Sequence, residues 1–399
     1  MSVIKELVAK LEKELGVYIP IIADLQGPSV RLGHFDAIQV NENDTVILEH
    51  APKIQSETKD YRVPIPDKAF FDTLSKDDTV YIDDGRVVLK TIETHERYAV
   101  CKVIQPGQLR PRTTVTIPGK EFDFPSITVK DKEDLVFALS QGVDIIFQSF
   151  VRNAEDINTL REFVNKNTDQ LIRIYAKIET RSAIRNIDSI LDVSDGILIA
   201  RGDLGMHFPL EEIPSLETML AKKALEYGKP VILATQLLES MIYNPSPTRA
   251  EVVDVYNGVI QNVDALMLSG ETAVGRYPVL AIRWLRRIIK QAEKELKPTK
   301  IDGINETEYE KFSKGIVYLA ESLNAKILAY TKKGATAHRL ARYRPEVPTY
   351  ITTENIKVAR QVNLLWGLKP ILIKLEDEDK EKDIIKQLLK IYRDLGIVK

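Results

Sequence analysis

Two short motifs near the middle of the chain carry the residues best suited to chemistry. Lys177 and Glu179 stand two apart in the run IRIYAKIE (172–179), so a β-strand would place both side chains on one face. Asp203 closely follows the next apolar run, DGILIARG (195–202). Two carboxylates beside a lysine can hold Mg²⁺ and stabilise the charge of a phosphate or an enolate. A structural ion pair between Lys177 and Glu179 fits the same spacing equally well.

The histidines and the cysteine predict no metal site by their spacing. Cys101 is the only cysteine, and the five histidines are scattered along the chain. A metal would therefore be held by carboxylate and backbone oxygens, which favours a hard ion such as Mg²⁺ or Mn²⁺. A single cysteine also excludes an intrachain disulfide and fits a reducing cytoplasm.

The charge and hydropathy of the chain exclude several classes of partner. The 399 residues carry a net charge of −2, which gives no reason to expect nucleic acid or an anionic membrane. No apolar run approaches the roughly 20 residues of a membrane span. The N-terminal stretch MSVIKELVAKLEKELG is charged throughout and lacks a signal-type apolar core, so we expect a cytoplasmic protein.

Six apolar runs separated by amphipathic stretches predict the elements that position these residues. Continuous apolar runs of this kind are typical of parallel strands buried on both faces. Each run ends in polar residues: Asp24; Ser149; Lys177 and Glu179; Arg201 and Asp203; Thr235 and Gln236; Ser269 and Glu271. Functional groups at the carboxyl ends of successive parallel strands are typical of a (β/α)₈ barrel. The sequence therefore predicts an α/β protein with an incomplete TIM-type barrel of six readable strands.

Changes in the pattern of apolar and turn-forming residues along the chain predict two further domains. Residues 32–116 contain short alternating runs separated by Pro, Gly and Asp turns, which predict a small, mostly β domain inserted into the barrel. The barrel would comprise residues 1–31 and 117–296. Residues 297–399 repeat the order strand, loop, helix and predict an open α/β domain.

Several long motifs resemble those of the pyruvate kinase family, in the family's order and over nearly the whole chain. They read AKIETRSAIRNIDSILDVSDGILIARGDLG, GKPVILATQLLESMIYNPSPTRAEVVDV, VDALMLSGETAVGRYPVLAI, DLQGPSVRLG, TIPGKEFDFPSITVKDKEDL, QSFVR and RLARYRP. The resemblance, closest to an archaeal-like branch, implies transfer of a phosphoryl group from phosphoenolpyruvate to ADP. It also implies that residues 32–116 form a β-barrel lid and that residues 297–399 form a domain of a regulatory type. Mg²⁺ or Mn²⁺ would be the cofactor, and the chain would form a homotetramer, with a motif at Thr248–Glu251 near a subunit contact.

The resemblance also implies roles for individual residues at the barrel. Glu179 and Asp203 would hold the divalent metal, and Lys177 would stabilise the transferring phosphoryl group and the enolate. The backbone N–H groups of Gly202 and Asp203 would receive the substrate carboxylate, and Thr235 would deliver a proton through water. Supporting contacts behind these groups would come from Ser149, Arg201, Gln236, Ser269 and Glu271, with Arg201 as a rim ion-pair partner of Glu179 or Glu271.

Cation and nucleotide sites follow from the same comparison of motifs. Asp24 matches the aspartate of a monovalent-cation site, but Ser29 stands where many members have Glu or Lys, which leaves K⁺ dependence open. Arg31 matches an arginine that reaches the nucleotide phosphates. Thr113-Thr114 replaces the family's Lys-Gly, and the adjacent Arg112 is the candidate to substitute for that lysine.

The loop TKKGATA (331–337) has the composition of a phosphate-cradling turn between a strand and a helix. It matches the place of the family's effector pocket, which makes Thr331, Lys332, Lys333 and Thr336 candidate ligands of an effector phosphate. A solvated loop with two lysines is an equally open interpretation.

The two ends of the chain depart from the family pattern. The first two strands of the family barrel and its final C-terminal strands have no counterpart here. We therefore expect a shortened form of the family, or strands supplied by another chain, because an open sheet would leave unpaired edges. The missing N-terminal segment favours one alternative to the kinase, a catalytically silent binding protein. A second alternative is a Mg²⁺-dependent aldolase or lyase that acts on a pyruvate enolate and uses the same pair, Glu179 and Asp203.

Overall fold

The computed structural model describes residues 1–53, 61–375 and 381–398. Parts of the predicted lid and C-terminal domains, residues 54–60, 376–380 and 399, lie outside this range. The chain forms two compact units, one of Ile21–Asn305 and one that joins Met1–Pro20 with Glu306–Lys399. None of the described helices is long and apolar enough to cross a membrane.

The first elements of the chain are helix α1 (Ser2–Leu15) and the short strand β1 (Ile22–Asp24). An inserted β domain follows, and its elements are β2 (Ile38–Val40), β3 (Thr45–His50), β4 (Tyr61–Ile65), α2 (Lys68–Thr73), β5 (Thr79–Ile82), β6 (Val87–Thr94), β7 (Tyr98–Gln105), β8 (Gly107–Leu109) and β9 (Val115–Thr116). Six of these strands form a mixed sheet in the order β4-β3-β7-β6-β5-β9, and β2 pairs with β8. Alternating residues such as Val46, Leu48, Val80 and Leu89 are fully buried, because successive strand side chains point to opposite faces.

The larger sheet carries the six predicted apolar runs. Its further strands are β10 (Ile145–Gln148), β11 (Arg173–Ile178), β12 (Gly196–Ala200), β13 (Val231–Ala234) and β14 (Ala265–Met267). The six strands are parallel and lie in the order β1-β10-β11-β12-β13-β14. This confirms the predicted six-stranded portion of a barrel. Among the described residues β1 and β14 are its edge strands.

Helices follow the strands of this sheet, as the alternation of the sequence predicts. They are α3 (Val129–Ser140), α4 (Ala154–Asn167), α5 (Arg181–Arg185), α6 (Ile187–Val193), α7 (Arg201–Leu204), α8 (Ile213–Glu226), α9 (Arg249–Ile260), α10 (Gly270–Ala273) and α11 (Pro278–Ala292), with 3₁₀ turns at Leu210–Glu212 and Glu239–Ile242. The capping box predicted at Thr248 and Glu251 is present at the start of α9. A second capping box, Thr128 with Asp131, begins α3.

The second unit contains a three-stranded parallel sheet in the order β15-β16-β17. Its elements are α12 (Glu308–Ser322), β15 (Ile327–Tyr330), α13 (Ala335–Arg342), β16 (Thr349–Thr353), α14 (Ile356–Val362), β17 (Leu368–Leu372) and α15 (Glu381–Asp394). The strand–helix repeat predicted for an open α/β domain is confirmed.

Helix α1 groups with this second unit, which differs from the predicted barrel segment 1–31. Arg360 makes two hydrogen bonds of 2.8 Å to the carboxylate of Glu12, and the backbone N–H of Leu372 donates to the hydroxyl of Tyr18 at 3.0 Å. The amphipathic pattern of α1 predicts a helix but not the element on which that helix packs. Contacts separated by some 350 residues decide the packing, and no local pattern reveals them.

Candidate active site

The polar ends of the parallel strands meet at one edge of the sheet. Register pairs Gln148 with Ala176, Lys177 with Leu198, and Ala200 with Ala234, so the carboxyl ends of these strands lie at similar heights. The residues that follow each strand therefore converge, which is the arrangement that builds active sites in α/β barrels.

Lys177 lies at the centre of this edge, with 14% of its side chain exposed. Its Nζ is 3.0 Å from Oε1 of Glu179 and 3.3 Å from Oδ1 of Asp24, and it donates to Oγ of Ser149 at 2.9 Å. Burial lowers the pKa of Lys177, but the charges of Glu179, Asp24 and Asp203 outweigh burial, so the net pKa lies above its ordinary value. The ammonium group is therefore charged and held in place.

Glu179 and Asp203 form the predicted pair of carboxylates. Glu179 is almost fully buried at 1% exposure, and its Oε2 accepts a hydrogen bond of 2.7 Å from the backbone N–H of Phe150. Burial, with the negative charge of Glu179 next, raises the pKa of Asp203 to about 8; Lys177 opposes this shift, and the lid residue Asp84 adds to it. Two carboxylates held this close favour a positive partner between them.

Asp24 and Ser149 lie on the other side of Lys177. Ser149 is buried and its hydroxyl donates to the carbonyl of Leu25 at 2.7 Å, so it links the ends of the first two strands of the sheet. Burial raises the pKa of Asp24, and the positive charge of Lys177 opposes that shift. The carboxylate predicted for a monovalent-cation site is thus an ion-pair partner of Lys177 in this structure.

Thr235 follows strand β13 in a left-handed turn. Its Oγ1 accepts a hydrogen bond of 2.8 Å from the backbone N–H of Gly202. Thr235 and Gln236 both have positive φ, 69° and 55°, although neither is glycine. The side chain of Gln236 is exposed, so its contribution to the site is through the backbone. The amide of Gly202, predicted to receive a substrate carboxylate, is already bonded to Thr235.

Arg201 does not pair with Glu179 or Glu271, and that prediction is wrong. Its Nη1 contacts Oδ1 of Asp254 at 2.6 Å and Oε2 of Glu217 at 3.4 Å. The guanidinium pairs instead with two acidic side chains, Glu217 on α8 and Asp254 on α9. Both acidic partners lie far from Arg201 in the sequence, so spacing could not reveal them.

Ser269 and Glu271 lie in the segment that follows β14. The buried Glu271 accepts hydrogen bonds from the backbone N–H groups of Ser269 at 2.8 Å and of Leu238 at 3.0 Å. It therefore ties the turn after β14 to the turn after β13. No contact joins either residue to Glu179 or Asp203 in the described hydrogen bonds.

Arg31 and Arg112 meet where the chain enters and leaves the inserted β domain. Arg31 Nη1 donates to the backbone carbonyl of Arg112 at 3.0 Å, and its Nε donates to Ser29 Oγ at 3.2 Å. Arg31 also forms an isolated β-bridge with Thr114. The structure thus brings the two predicted nucleotide-binding arginines together at the base of the lid, with Arg112 exposed.

A cleft between the sheet edge and the inserted domain contains residues that sequence reasoning missed. It is lined by Pro28, Ser29, Val30, Asp84, Thr114, Val115, Thr116, Lys120, Glu121, Phe122, Phe150, Arg152, Thr180, Asp203, Met206 and His207. Phe150 has φ 54° and gives its backbone N–H to Glu179, a contact that no motif signals. His207 stands out in the sequence only as a departure from the family pattern, and it is buried beside the cleft.

The candidate effector loop lies in the second unit, after strand β15. Thr331 is buried and its hydroxyl accepts from the backbone N–H of Gly334 at 3.0 Å, while Gly334 has φ 86°. Lys332 and Lys333 are exposed and Thr336 is half-buried. A cavity beside the loop is lined by Tyr330, Lys332, Glu354, Asn355 and Ile356.

Two family matches account for most of the chain. Residues 1–282 match the family described as pyruvate kinase, barrel domain, and residues 310–399 match pyruvate kinase, alpha/beta domain. The chain belongs to the pyruvate kinase family. The function of the chain is accordingly that of the family, phosphotransfer by a pyruvate kinase. The predicted family, fold class and function are confirmed.

Pyruvate kinases of other organisms align with nearly the whole chain. The pyruvate kinase of Aeropyrum pernix is 38% identical over 392 residues, which are 98% of this chain and 83% of the relative. The pyruvate kinase of Pyrobaculum aerophilum is 32% identical over 94% of this chain and 80% of its own length. The crystal structure of pyruvate kinase from Pyrobaculum aerophilum superimposes with a TM-score of 0.86, covering 97% of this chain and 84% of that chain.

Proposed function

We propose that the chain transfers the phosphoryl group of phosphoenolpyruvate to ADP, with a divalent metal held by Glu179 and Asp203. The observation that carries the proposal is the position of Lys177. Its ammonium lies 3.0 Å from Glu179 at the carboxyl edge of the parallel sheet, next to the carboxylate pair. Phosphoryl transfer is mainly positioning and neutralisation of charge, and a fixed cation beside a metal pair supplies both.

The donor set fits magnesium. In the described part of the chain no group of three or more acidic, histidine or cysteine side chains is arranged to hold a metal, so the protein would supply only the oxygens of Glu179 and Asp203. Mg²⁺ is commonly bound by one or two carboxylates, with water and substrate oxygens completing its shell. Burial, followed by the negative charge of Glu179, raises the pKa of Asp203, and a bound cation would favour its ionised form. When bound, it would polarise the phosphoryl oxygens.

The reaction then proceeds in two steps, phosphoryl transfer and protonation of the enolate. The bond between phosphorus and the enol oxygen of phosphoenolpyruvate breaks as a terminal oxygen of ADP bonds to phosphorus, giving ATP and the enolate of pyruvate. Lys177 stabilises the negative charge on the transferring group and on that enolate. The enolate carbon takes a proton from a water held by the hydroxyl of Thr235, and pyruvate is formed. Ser149 keeps Lys177 in position.

The remaining substrate contacts are proposals from the family motifs. The backbone N–H groups of Gly202 and Asp203 would receive the substrate carboxylate, and for Gly202 this contact would compete with the hydroxyl of Thr235. Arg31 and Arg112 would reach the nucleotide phosphates from the base of the lid. Binding of ADP, measured by calorimetry, would favour a kinase over the enolate aldolase or lyase, which has no use for a nucleotide.

Metal binding by the carboxylate pair is tested by replacing one member. We expect Glu179→Gln and Asp203→Asn each to weaken Mn²⁺ binding at least tenfold, because each change removes one of two anionic ligands. Electron paramagnetic resonance of free Mn²⁺ measures the affinity directly. Glu162→Gln is the matched control, since Glu162 is exposed on α4 and lies outside the site. Affinity equal to wild type in both site variants would contradict the proposal.

Assembly, effector binding and location are further proposals from the same resemblance. A homotetramer would show in light scattering as four times the chain mass.

An anionic effector at Thr331, Lys332, Lys333 and Thr336 would raise the melting temperature of the wild type but not of Lys332→Ala, with inorganic phosphate as the probe. K⁺ dependence, with Asp24 as one ligand, would appear as activation by KCl relative to a tetramethylammonium salt. Fluorescence microscopy of a tagged chain would test a cytoplasmic location.

A further inference from the structure

The buried guanidinium of Arg201 binds the backbone of the turn that carries Thr235. Its Nη2 donates to the carbonyl oxygens of Thr235 at 2.9 Å and of Gln236 at 3.2 Å. Its Nη1 faces Asp254 and Glu217 instead. Only 8% of Arg201 is exposed, so these contacts account for its place inside the molecule. One side chain therefore connects two acidic anchors to two consecutive carbonyl groups.

The turn it binds is held in an unfavourable conformation. Thr235 and Gln236 occupy the left-handed region consecutively, where side chains with a Cβ crowd the backbone, and a β-branched residue is the least suited to it. Such backbone persists only where surrounding groups over-determine it. Arg201 binds the carbonyl groups of the turn, and Glu271 accepts a hydrogen bond of 3.0 Å from the backbone N–H of Leu238, two residues after Gln236.

The direction of the Thr235 side chain depends on this turn. Its hydroxyl oxygen accepts the N–H of Gly202 at 2.8 Å, one residue before Asp203. That N–H group occupies an acceptor site of the hydroxyl and leaves the hydroxyl proton to be directed elsewhere. If the two carbonyl groups rotated, the Cα–Cβ bond of Thr235 would turn with them, and the hydroxyl would leave the strand edge.

We propose that Arg201 is a positioning residue for the proton-transfer half of the reaction: it fixes the hydroxyl of Thr235 through the backbone, with Asp254 and Glu217 fixing the guanidinium. The inference rests on the proposed role of Thr235. Lysine cannot replace arginine here, because the planar fork of donors spans two carbonyl oxygens and a carboxylate at once, whereas an ammonium group is a compact point charge.

The test separates proton transfer from phosphoryl transfer. Exchange of the methyl protons of pyruvate for deuterium in D₂O, followed by proton NMR, reports the proton step without phosphoryl transfer. We expect Arg201→Lys to slow this exchange about 10- to 100-fold, since misplacing a reacting group by about an ångström has an effect of that size. The KM for phosphoenolpyruvate should change less than about threefold, because Arg201 makes no direct substrate contact in this account.

A matched control excludes a general effect of losing an arginine that bridges a backbone carbonyl and a carboxylate. Arg161 also bridges a backbone carbonyl, that of Val193, and a carboxylate, that of Asp195, but at the opposite end of the sheet. Arg161→Lys should leave the exchange rate within about twofold of wild type. If Arg201→Lys does not fold, Asp254→Asn provides the same test, since it removes the 2.6 Å ion-pair partner and should slow exchange in the same direction.

A double-mutant cycle with Thr235→Ala tests whether Arg201 affects the exchange rate through the hydroxyl of Thr235. If Arg201 acts through the hydroxyl, Arg201→Lys slows exchange in the wild-type background and adds nothing in the Thr235→Ala background. Full exchange in Arg201→Lys, or an equal further loss in the Thr235→Ala background, would overturn the inference while leaving Thr235 in its role. Full exchange in Thr235→Ala itself would overturn both.

Discussion

At the scale of single residues, the state of Lys177 depends on charge outweighing burial. Burial alone would favour the neutral amine, but two carboxylates within 3.3 Å and a third nearby keep it protonated. A lysine that is charged, mostly buried and hydrogen-bonded by Ser149 cannot move far. It can therefore stabilise negative charge without reorganising during the reaction, which is the source of most electrostatic catalysis.

Gly27 packs against Ser149, and replacing Gly27 should lower both stability and activity. Gly27 has φ 68°, and a Cβ there would lie 2.8 Å from the Cβ of Ser149, the residue that holds Lys177. We expect Gly27→Ala to lower the free energy of unfolding by about 2–4 kcal/mol, from left-handed strain plus overpacking, and to lower kcat. Urea unfolding and a coupled assay measure the two effects.

Gly142 provides the matched control for Gly27. Its φ is 75°, but a Cβ at this position would meet no neighbouring atom within 4 Å. Gly142→Ala should therefore show the left-handed strain alone, about 1–2 kcal/mol, with kcat unchanged. Equal losses of stability and activity in the two variants would contradict the steric explanation.

That Lys177, Glu179 and Asp203 lie together could be predicted from the sequence, but most of the contacts that support them could not. Lys177, Glu179 and Asp203 meet because parallel strands bring their carboxyl ends to one edge, a rule that needs only the strand positions. The backbone N–H of Phe150, and the acidic partners of Arg201, depend on contacts between distant elements. Such contacts follow from packing, which no motif encodes.

At the scale of elements, the carboxyl end of strand β12 leads into the candidate site, whereas its amino end is held by a structural ion-pair network. Its carboxyl end leads into α7 and Asp203, and the residue before its first strand position, Asp195, anchors the other end. Asp195 accepts hydrogen bonds from Arg161, from Arg173 and from the backbone N–H of Ile174. Burial would raise the pKa of Asp195, but Arg173 and Arg161 outweigh it, and the pKa lies below its ordinary value.

Removing this anchor should destabilise the barrel in a pH-dependent way. Because the folded pKa is depressed, the stabilisation is present above the pKa of the unfolded aspartate, about 3.9, and is lost as pH falls through the lower folded pKa. We expect Asp195→Asn to lower the free energy of unfolding by about 2–4 kcal/mol at pH 7 and by less at pH 3, where part of the stabilisation has been lost. Urea unfolding at both pH values measures the difference.

A surface ion pair offers the comparison for Asp195. Asp188 pairs with Lys223 at an exposed position, and such pairs contribute little. Asp188→Asn should therefore change stability by less than about 1 kcal/mol at pH 7. A difference between wild type and Asp195→Asn that stays constant from pH 7 to pH 3 would show that the ionised carboxylate is not the cause.

At the scale of the whole molecule, the six strands of the parallel sheet could be predicted from the sequence, whereas the packing of α1 could not. Apolar runs identify the six strands because each is buried on both faces. Helix α1 has an amphipathic pattern that suits several surfaces, and the bidentate contact between Glu12 and Arg360 shows where it packs. Topology is thus readable from periodicity, but the docking of a terminal helix is not.

Conversion of phosphoenolpyruvate and ADP to pyruvate and ATP by the wild-type chain and Lys177→Met, in a coupled assay with Mg²⁺, tests the central claim most directly. We expect the wild type to turn over and Lys177→Met to lose about 100- to 1,000-fold in kcat, while the control Lys166→Met, at an exposed position on α4, keeps the wild-type rate. Near-full activity of Lys177→Met would contradict the role of Lys177. A folded wild-type chain that binds phosphoenolpyruvate and ADP without converting them would instead favour the silent binding protein.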